Sequence, residues 1–197
     1  MTAEDIYNQL LEDFKAHIKP LSEISSGDNG KKFFLSDEKY LCFDDVKFRE
    51  HDGAGKAPDL LAFYKNGIVF VEFKEGKVEN VKKEDVKLKV IEGINSIFKY
   101  CNKKTSMTKV DFSSLDFDYF VIHRRSRSER KSVRDAMKVS MARWSLDEYK
   151  GYYLRAADTI SSHDKAFKLL NLLSNGSLVS GIYVNSDNTQ VEWTLPS

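Results

Sequence analysis

An Asn66-Gly67 pair lies between two apolar segments and constrains the fold more than any other feature of the sequence. The segments cover residues 59–64 and 68–74, and both are rich in aromatic or β-branched residues, as strands are. Asn-Gly is the strongest two-residue signal for a tight β-hairpin. The second segment is apolar at consecutive positions, which is typical of a central strand covered on both faces. The sequence therefore predicts a hairpin whose second strand lies inside a sheet.

The expected register of this hairpin decides which charged residues share a face. With the Asn-Gly pair at the centre of the turn, Leu61 lies opposite Glu72 and Asp59 lies opposite Lys74. Opposed residues project to the same side of a sheet, and so do residues two apart on one strand. Asp59, Glu72 and Lys74 are therefore expected on one face. Ionisable groups at the end of so apolar a strand are costly unless they are paired or bind a metal.

Two neighbouring carboxylates and a lysine suit one kind of chemistry. Carboxylate oxygens are ligands that Mg²⁺ and Mn²⁺ prefer. A metal ion bound by Asp59 and Glu72 could polarise a phosphoryl oxygen and orient a water molecule, and Lys74 could stabilise the developing negative charge. The alternative is an ordinary cross-strand ion pair between Asp59 and Lys74, with Glu72 exposed on the strand; such pairs contribute little to stability.

The same residues resemble a known motif. Pro58-Asp59, followed after twelve residues by Glu72-Phe73-Lys74, resembles the PD-(D/E)XK nuclease superfamily, which includes restriction endonucleases and Holliday-junction resolvases. The resemblance implies an αβββαβ core with the motif on two adjacent strands. It implies that Asp59 and Glu72 are metal ligands, that Lys74 is the catalytic lysine, and that Mg²⁺ or Mn²⁺ is the cofactor. It further implies DNA rather than RNA as the substrate, and a homodimer as one possible assembly.

Members of this superfamily often add a carboxylate from the first helix. Glu4 is our candidate for this third metal ligand, because it lies at the border of the apolar face of a predicted helix over residues 3–18. An acid in the first helical turn is also favourable for the helix itself. Asp45 and Glu50 stay open as rivals for the role.

The order of the predicted elements gives the fold class. Helix, three strands, helix, strand, then further helices and a hairpin indicate a mixed α/β domain with a central sheet flanked by helices. No linker divides the chain, so residues 1–197 are expected to form a single domain. The predicted helices cover residues 3–18, 84–101, 127–143, 146–157 and 166–173. The predicted strands cover residues 40–48, 59–64, 68–74, 117–122, 178–184 and 190–195, a short strand-like segment covers residues 33–35, and residues 22–32 are expected to form a loop.

One basic cluster is a candidate surface for nucleic acid. It begins at the end of the predicted strand at 117–122 and continues as a stripe along the next helix. Its proposed phosphate-binding members are Arg124, Arg125, Arg127, Lys131 and Arg134. A basic stripe suits contacts to the phosphate backbone, which do not depend on base sequence. A solvated helix face is the equally open alternative.

The composition indicates a cellular compartment but does not indicate a particular binding partner. The chain has 31 basic and 30 acidic residues, so its net charge of +1 alone does not indicate nucleic acid as a partner. Cys42 and Cys101 do not form a CxxC pair, which argues against a zinc site and fits a reducing compartment. No segment approaches the ~18 apolar residues of a membrane span. We therefore expect a cytoplasmic protein without a membrane partner.

Three functions remain open at this point, the lowest in rank being an unrelated α/β interaction protein whose hairpin only mimics the motif. The first is a Mg²⁺-dependent endonuclease or phosphodiesterase that acts on DNA. The second is a catalytically inactive module of the same fold, which would bind nucleic acid or a protein partner.

Overall fold

The computed structural model describes residues 1–26, 30–46, 56–105, 107–125, 134, 137 and 144–195. Its helices are α1 (Ala3–Asp13), α2 (Leu21–Ile24), α3 (Lys83–Lys104), α4 (Lys109–Ser113) and α5 (His163–Leu173). Its strands are β1 (Ile18–Pro20), β2 (Phe34–Leu35), β3 (Lys39–Cys42), β4 (Leu60–Tyr64), β5 (Gly67–Gly76), β6 (Asp116–Arg125), β7 (Ala156–Ile160), β8 (Ser180–Val184) and β9 (Gln190–Thr194).

The strands of the described residues form one large and one small sheet. The large sheet has six strands in the order β1-β3-β4-β5-β6-β7. Neighbours from β1 to β5 are antiparallel, whereas β6 is parallel to both β5 and β7. Helix α3 provides the crossover that a parallel β5–β6 pair needs. The prediction of an α/β fold with a mixed central sheet flanked by helices is confirmed.

Helices cover both faces of the large sheet, so β5 is apolar on both sides. Ile68 and Phe70 pack in one core with residues of α1 and α3. Val69 and Val71 pack in the other core with residues of α2, α5 and the small sheet β2-β8-β9. The alternation of a strand therefore assigns even-numbered β5 residues to the α3 side. Among the described residues, no helix combines the length and apolar character that a membrane-spanning segment needs.

The hairpin forms, but its turn and register differ from the prediction. Lys65 and Asn66 are the two central turn residues, with φ of +47° and +60°. This is the backbone sign that a type I′ turn requires at both positions. Gly67 already belongs to β5 and pairs with Tyr64, so the pairing is displaced by two residues from the expected one. A displacement of two preserves the facing of every side chain, since the period of a strand is two.

Gly67 is required by its neighbour rather than by the turn. A Cβ at this position would lie 2.6 Å from Nη2 of Arg155. The Arg155 guanidinium donates to the backbone oxygen of Lys65 at 2.7 Å and to Asp118 Oδ1 at 3.0 Å. The glycine therefore lets this guanidinium close the turn against the neighbouring strand.

Helix α1 is shorter than predicted. Thr2 and Asp5 form a capping box at its start, and it ends at Asp13 rather than at residue 18. Residues 18–20 instead form the edge strand β1 against β3. Pro20 suits an edge because it has no N–H to donate to a ladder. Within the expected loop at 22–32, the structure places most of the short helix α2.

The C-terminal third contains one wrong prediction. The expected helix at 146–157 is a short 3-10 turn over Leu146–Tyr149, followed by β7 alongside β6. Helix α5 and the hairpin of β8 and β9 are confirmed, and this hairpin joins β2 in the small sheet. The predicted helix at 127–143 lies outside the described residues except for Arg134 and Met137, which are both helical.

Candidate active site

The α3-facing side of β5 changes from apolar to charged toward the end of the strand. Ile68 and Phe70 lie in the core beneath α3, and Glu72 and Lys74 follow on the same side. Asp59 lies at the start of the neighbouring strand, and its N–H donates to the carbonyl of Val71 at 3.1 Å. The strand geometry therefore brings the two acids of the sequence motif together under α3.

A lysine of α3 bridges these two carboxylates. Lys89 Nζ lies 2.7 and 2.8 Å from the two carboxylate oxygens of Glu72, and 3.2 Å from Oδ1 of Asp59. Lys74 Nζ lies 2.6 Å from Oε1 of Glu72. The other oxygen of Asp59 accepts a hydrogen bond from the N–H of Phe73 at 2.6 Å. Three carboxylate oxygens thus converge on one cation, and that cation is an ammonium group.

Sequence analysis did not select Lys89. Of the other lysines of α3, Lys87 donates to Glu148 at 2.6 Å. The available signal was Gly93, one helical turn after Lys89 on the same side of α3. A glycine inside a helix is unfavourable and marks a close approach. A Cβ on Gly93 would lie 3.1 Å from the ring of Pro58, so this contact holds α3 close to the strand end that carries Asp59.

Burial dominates the electrostatics of Glu72. Its side chain is 0% exposed, and burial, followed by the charge of Asp59, raises its pKa to about 7. Lys89 and Lys74 act in the opposite direction. Burial also raises the pKa of Asp59, against the effect of the Lys89 charge. The alternative of an exposed Glu72 beside an ordinary Asp59–Lys74 ion pair is therefore wrong in its placement of Glu72.

The pKa of Lys89 changes in the direction that keeps it charged. Burial lowers this pKa, but the charges of Glu72 and Asp59 outweigh burial and raise it. The pKa shift favours the charged form of Lys89, because two carboxylates surround its ammonium. The pKa shift of Glu72 favours its neutral form, because burial and the charge of Asp59 act against its ionisation. The ammonium form of Lys89 is thus the form that the site favours.

A buried hydroxyl group adds a polar atom to the same side of the sheet. Tyr119 on β6 is 0% exposed, and its hydroxyl has no hydrogen-bond partner in the described part of the chain. Burial, followed by the charges of Glu72 and Asp59, raises the pKa of Tyr119. The hydroxyl therefore stays protonated.

The carboxylate oxygens of this site suit a hard divalent cation, both in their chemical type and in their arrangement around one point. All are oxygens, and three already surround one positive charge at 2.7–3.2 Å. Residues 1–26, 30–46, 56–105, 107–125 and 144–195 contain no group of three or more His, Cys, Asp or Glu that could hold a metal. Among the described residues, Asp59 and Glu72 would be the carboxylates of such a site, which matches Mg²⁺ sites that take one or two carboxylates plus substrate phosphates.

The structure does not bring Glu4 to these two acids. Helix α1 buries Ala3, Ile6 and Leu10, so position 4 lies on its exposed side. Of its rivals, Asp45 forms an ion pair with Lys19. Glu50 lies outside the described residues. The expectation of a third metal ligand from the first helix is therefore not met by Glu4.

The structure corrects the predicted nucleic-acid surface at Arg124, which is buried. Its side chain is 1% exposed, and its guanidinium donates to Glu75 Oε2 at 2.6 Å and to the carbonyl of Lys32 at 2.7 Å. It also stacks over the ring of Phe33 at 3.9 Å. Strand β6 extends through this position and turns Arg124 toward the small sheet, whereas the prediction ended the strand at residue 122.

The other members of the basic cluster have different positions. Arg125 is half-buried at the end of β6, and Arg134 is exposed. Arg127 and Lys131 lie outside the described residues. Arg125 and Arg134 therefore remain candidates for phosphate contacts.

No family model, curated protein or solved structure matches this chain. The resemblance to the PD-(D/E)XK superfamily consequently depends on the motif residues and on the order of the elements around them.

Proposed function

We propose that this chain is a metal-dependent nuclease that hydrolyses phosphodiester bonds of DNA. The observation that carries the proposal is the convergence of Asp59 and Glu72 on one cation position, with the Lys74 ammonium 2.6 Å from Glu72. The element order gives further support. Along the chain, α1, β3, β4, β5, α3 and β6 follow one another, with β1, α2, β2 and α4 as further elements between them, and this succession is compatible with the αβββαβ core that the resemblance implies.

Each residue of the site would have a distinct role. Asp59 and Glu72 would hold Mg²⁺ or Mn²⁺, which polarises a phosphoryl oxygen and stabilises the leaving oxygen when bound. The Phe73 N–H fixes the orientation of the Asp59 carboxylate. Lys74 is 25% exposed, so its ammonium can donate to an attacking water molecule or to a phosphate oxygen while Glu72 orients it.

The test combines a cleavage assay with metal titration. Purified protein is incubated with single- and double-stranded DNA and RNA, with Mg²⁺, with Mn²⁺ and with a chelator. We expect Asp59→Asn to abolish both Mn²⁺ binding and cleavage. Lys74→Met should retain Mn²⁺ binding and slow cleavage by roughly 10²–10³-fold, which is typical for the loss of one stabilising donor.

Lys77→Met is the matched control for this experiment. Lys77 follows the same strand and is 52% exposed, so removing its charge should leave cleavage unchanged. Absence of cleavage of every nucleic acid, or equal cleavage by Lys74→Met and wild type, would contradict the proposed activity.

One observation favours a second candidate function, a catalytically inactive module of the same fold. The Lys89 ammonium bridges the two acids and Lys74 pairs with Glu72, so two lysines already balance the charges of the two carboxylates. A protein that uses these internal cations permanently would bind nucleic acid or a protein partner without cleavage. Such a protein would bind nucleic acid with the same affinity in Mg²⁺ and in a chelator. For the nuclease, Mg²⁺ binding would instead affect the nucleic-acid substrate.

A further inference from the structure

We infer that Lys89 is an internal competitor for the metal ion: it occupies the cation position between Asp59 and Glu72, and a divalent ion enters by displacing it. This inference depends on the proposed function and adds a control on metal loading. Lys89 Nζ contacts both oxygens of Glu72 and Oδ1 of Asp59, which are the atoms that would ligate the metal. The Lys89 ammonium lies at the point on which these three oxygens converge, so a divalent ion bound by the same three oxygens would need the position that the ammonium occupies.

Lys74 does not have the same position. Its ion pair is with one oxygen of Glu72, at 2.6 Å, whereas Lys89 bridges both acids. A metal ion could therefore bind while Lys74 keeps its contact with Glu72. The two lysines therefore differ in position: Lys74 lies beside the cation position, and Lys89 occupies it.

The displaced ammonium has an acceptor within reach on its own helix. Asp85 lies four residues before Lys89 on α3, a spacing at which helical side chains meet. Asp85 is 42% exposed and forms an ion pair with Lys56. The flexible lysine stem can rotate toward it, while the Gly93–Pro58 contact keeps the helix backbone in place. Loading of the site therefore needs a side-chain movement only.

Mn²⁺ binding to the full chain tests this inference without any measurement of cleavage. Isothermal titration and the paramagnetic resonance signal of free Mn²⁺ give the Kd of wild type and of Lys89→Met, which keeps the apolar stem of the side chain but removes the ammonium. We expect Lys89→Met to bind Mn²⁺ about tenfold more tightly or better, since hydrogen bonds to charged groups no longer have to be broken.

Two further variants separate occupancy from general charge effects. Lys74→Met removes a charge beside the same acids, and we expect a smaller gain in Mn²⁺ affinity than for Lys89→Met. Lys87→Met removes a charge from the same helix at a residue bound to Glu148, and its Kd should equal that of wild type. Equal gains for Lys74→Met and Lys89→Met would overturn the inference, because electrostatics alone would then explain both.

The wild-type protein provides a measurement that does not depend on the folding of a variant. Acetylation of Lys89 by an amine-reactive ester, quantified by mass spectrometry, should be slow in chelator and several-fold faster with saturating Mn²⁺. Unchanged protection of Lys89 upon Mn²⁺ binding would overturn the inference while leaving the nuclease proposal intact. Absence of Mn²⁺ binding by both wild type and Lys89→Met would overturn the inference and the metal-dependent function together.

Discussion

Replacing Arg124 by methionine tests whether this residue stabilises the fold or contacts nucleic acid. The guanidinium is buried and bonds to Glu75 and to the carbonyls of Lys32 and Val184, so it joins the end of β6 to the small sheet. Arg124→Met leaves these acceptors without their donor. Breaking a buried pair costs about 3–5 kcal/mol, and the low end applies because Glu75 keeps access to water.

The expected loss of roughly 3 kcal/mol corresponds to a Tm decrease of about 6–12 °C for a chain of this size. Calorimetry or circular dichroism would measure it, with Arg125→Met as the matched control. Arg125 carries the same charge at the next position and is half-buried. We expect its Tm to stay within about 3 °C of wild type. Equal Tm values for Arg124→Met and Arg125→Met would refute the structural role of Arg124.

Two further predictions concern the hairpin and its acids. Gly67→Ala should destabilise the protein by roughly 1 kcal/mol in urea unfolding, because the new Cβ displaces the Arg155 guanidinium from Asp118. The destabilisation by Gly67→Ala should be smaller in an Arg155→Ala background. An equal destabilisation there would show that the new Cβ does not act through Arg155. In chelator, the raised pKa of Glu72 means that the folded state retains a proton which the unfolded state has released. The free energy of unfolding should therefore fall by roughly 3 kcal/mol as pH rises from about 4.5 to 7, following the linkage relation. Glu72→Gln should lack this dependence, and equal pH slopes for the two proteins would contradict it.

The facing of the three motif residues was predictable because it depends on local periodicity. Alternation along a strand has a period of two, and the expected register was displaced by two residues. The choice between Lys65-Asn66 and Asn66-Gly67 as turn residues was not predictable from local sequence. It depends on Arg155, which lies far along the chain and requires a position without a Cβ.

The elements that sequence analysis missed are stabilised by distant partners. Strand β7 has the short, half-polar sequence of residues 156–160, and its ladder comes from β6. Strand β1 was assigned to a helix whose apolar spacing continued to Ile18, yet this segment pairs with β3. In both cases pairing with a long strand outweighs local propensity.

Lys89 shows the same limitation at the level of a side chain. Its neighbours Val86 and Val90 are buried and Leu88 is exposed, so the helical pattern gives position 89 no distinctive character. Its role follows from the packing of α3 over Asp59, which the pattern of α3 alone does not contain. Arg124 is the opposite case, since a basic sequence context suggested a surface residue where the sheet required a buried one.

The energetics of Glu72 bear on whether the charged cluster is structural or functional. An acid that serves only as a structural ion-pair partner usually has a lowered pKa, because its partner favours the charged form. Glu72 is fully buried and its pKa is raised to about 7, with Asp59 contributing to the increase. Folding therefore works against the charge of Glu72 despite two adjacent lysines, and apolar residues at this point of β5 would serve stability at least as well. Perturbed acids of this kind concentrate at functional sites, where binding of a cation relieves the repulsion between them. The burial of Glu72 beside Asp59 therefore supports the proposed site for a divalent ion.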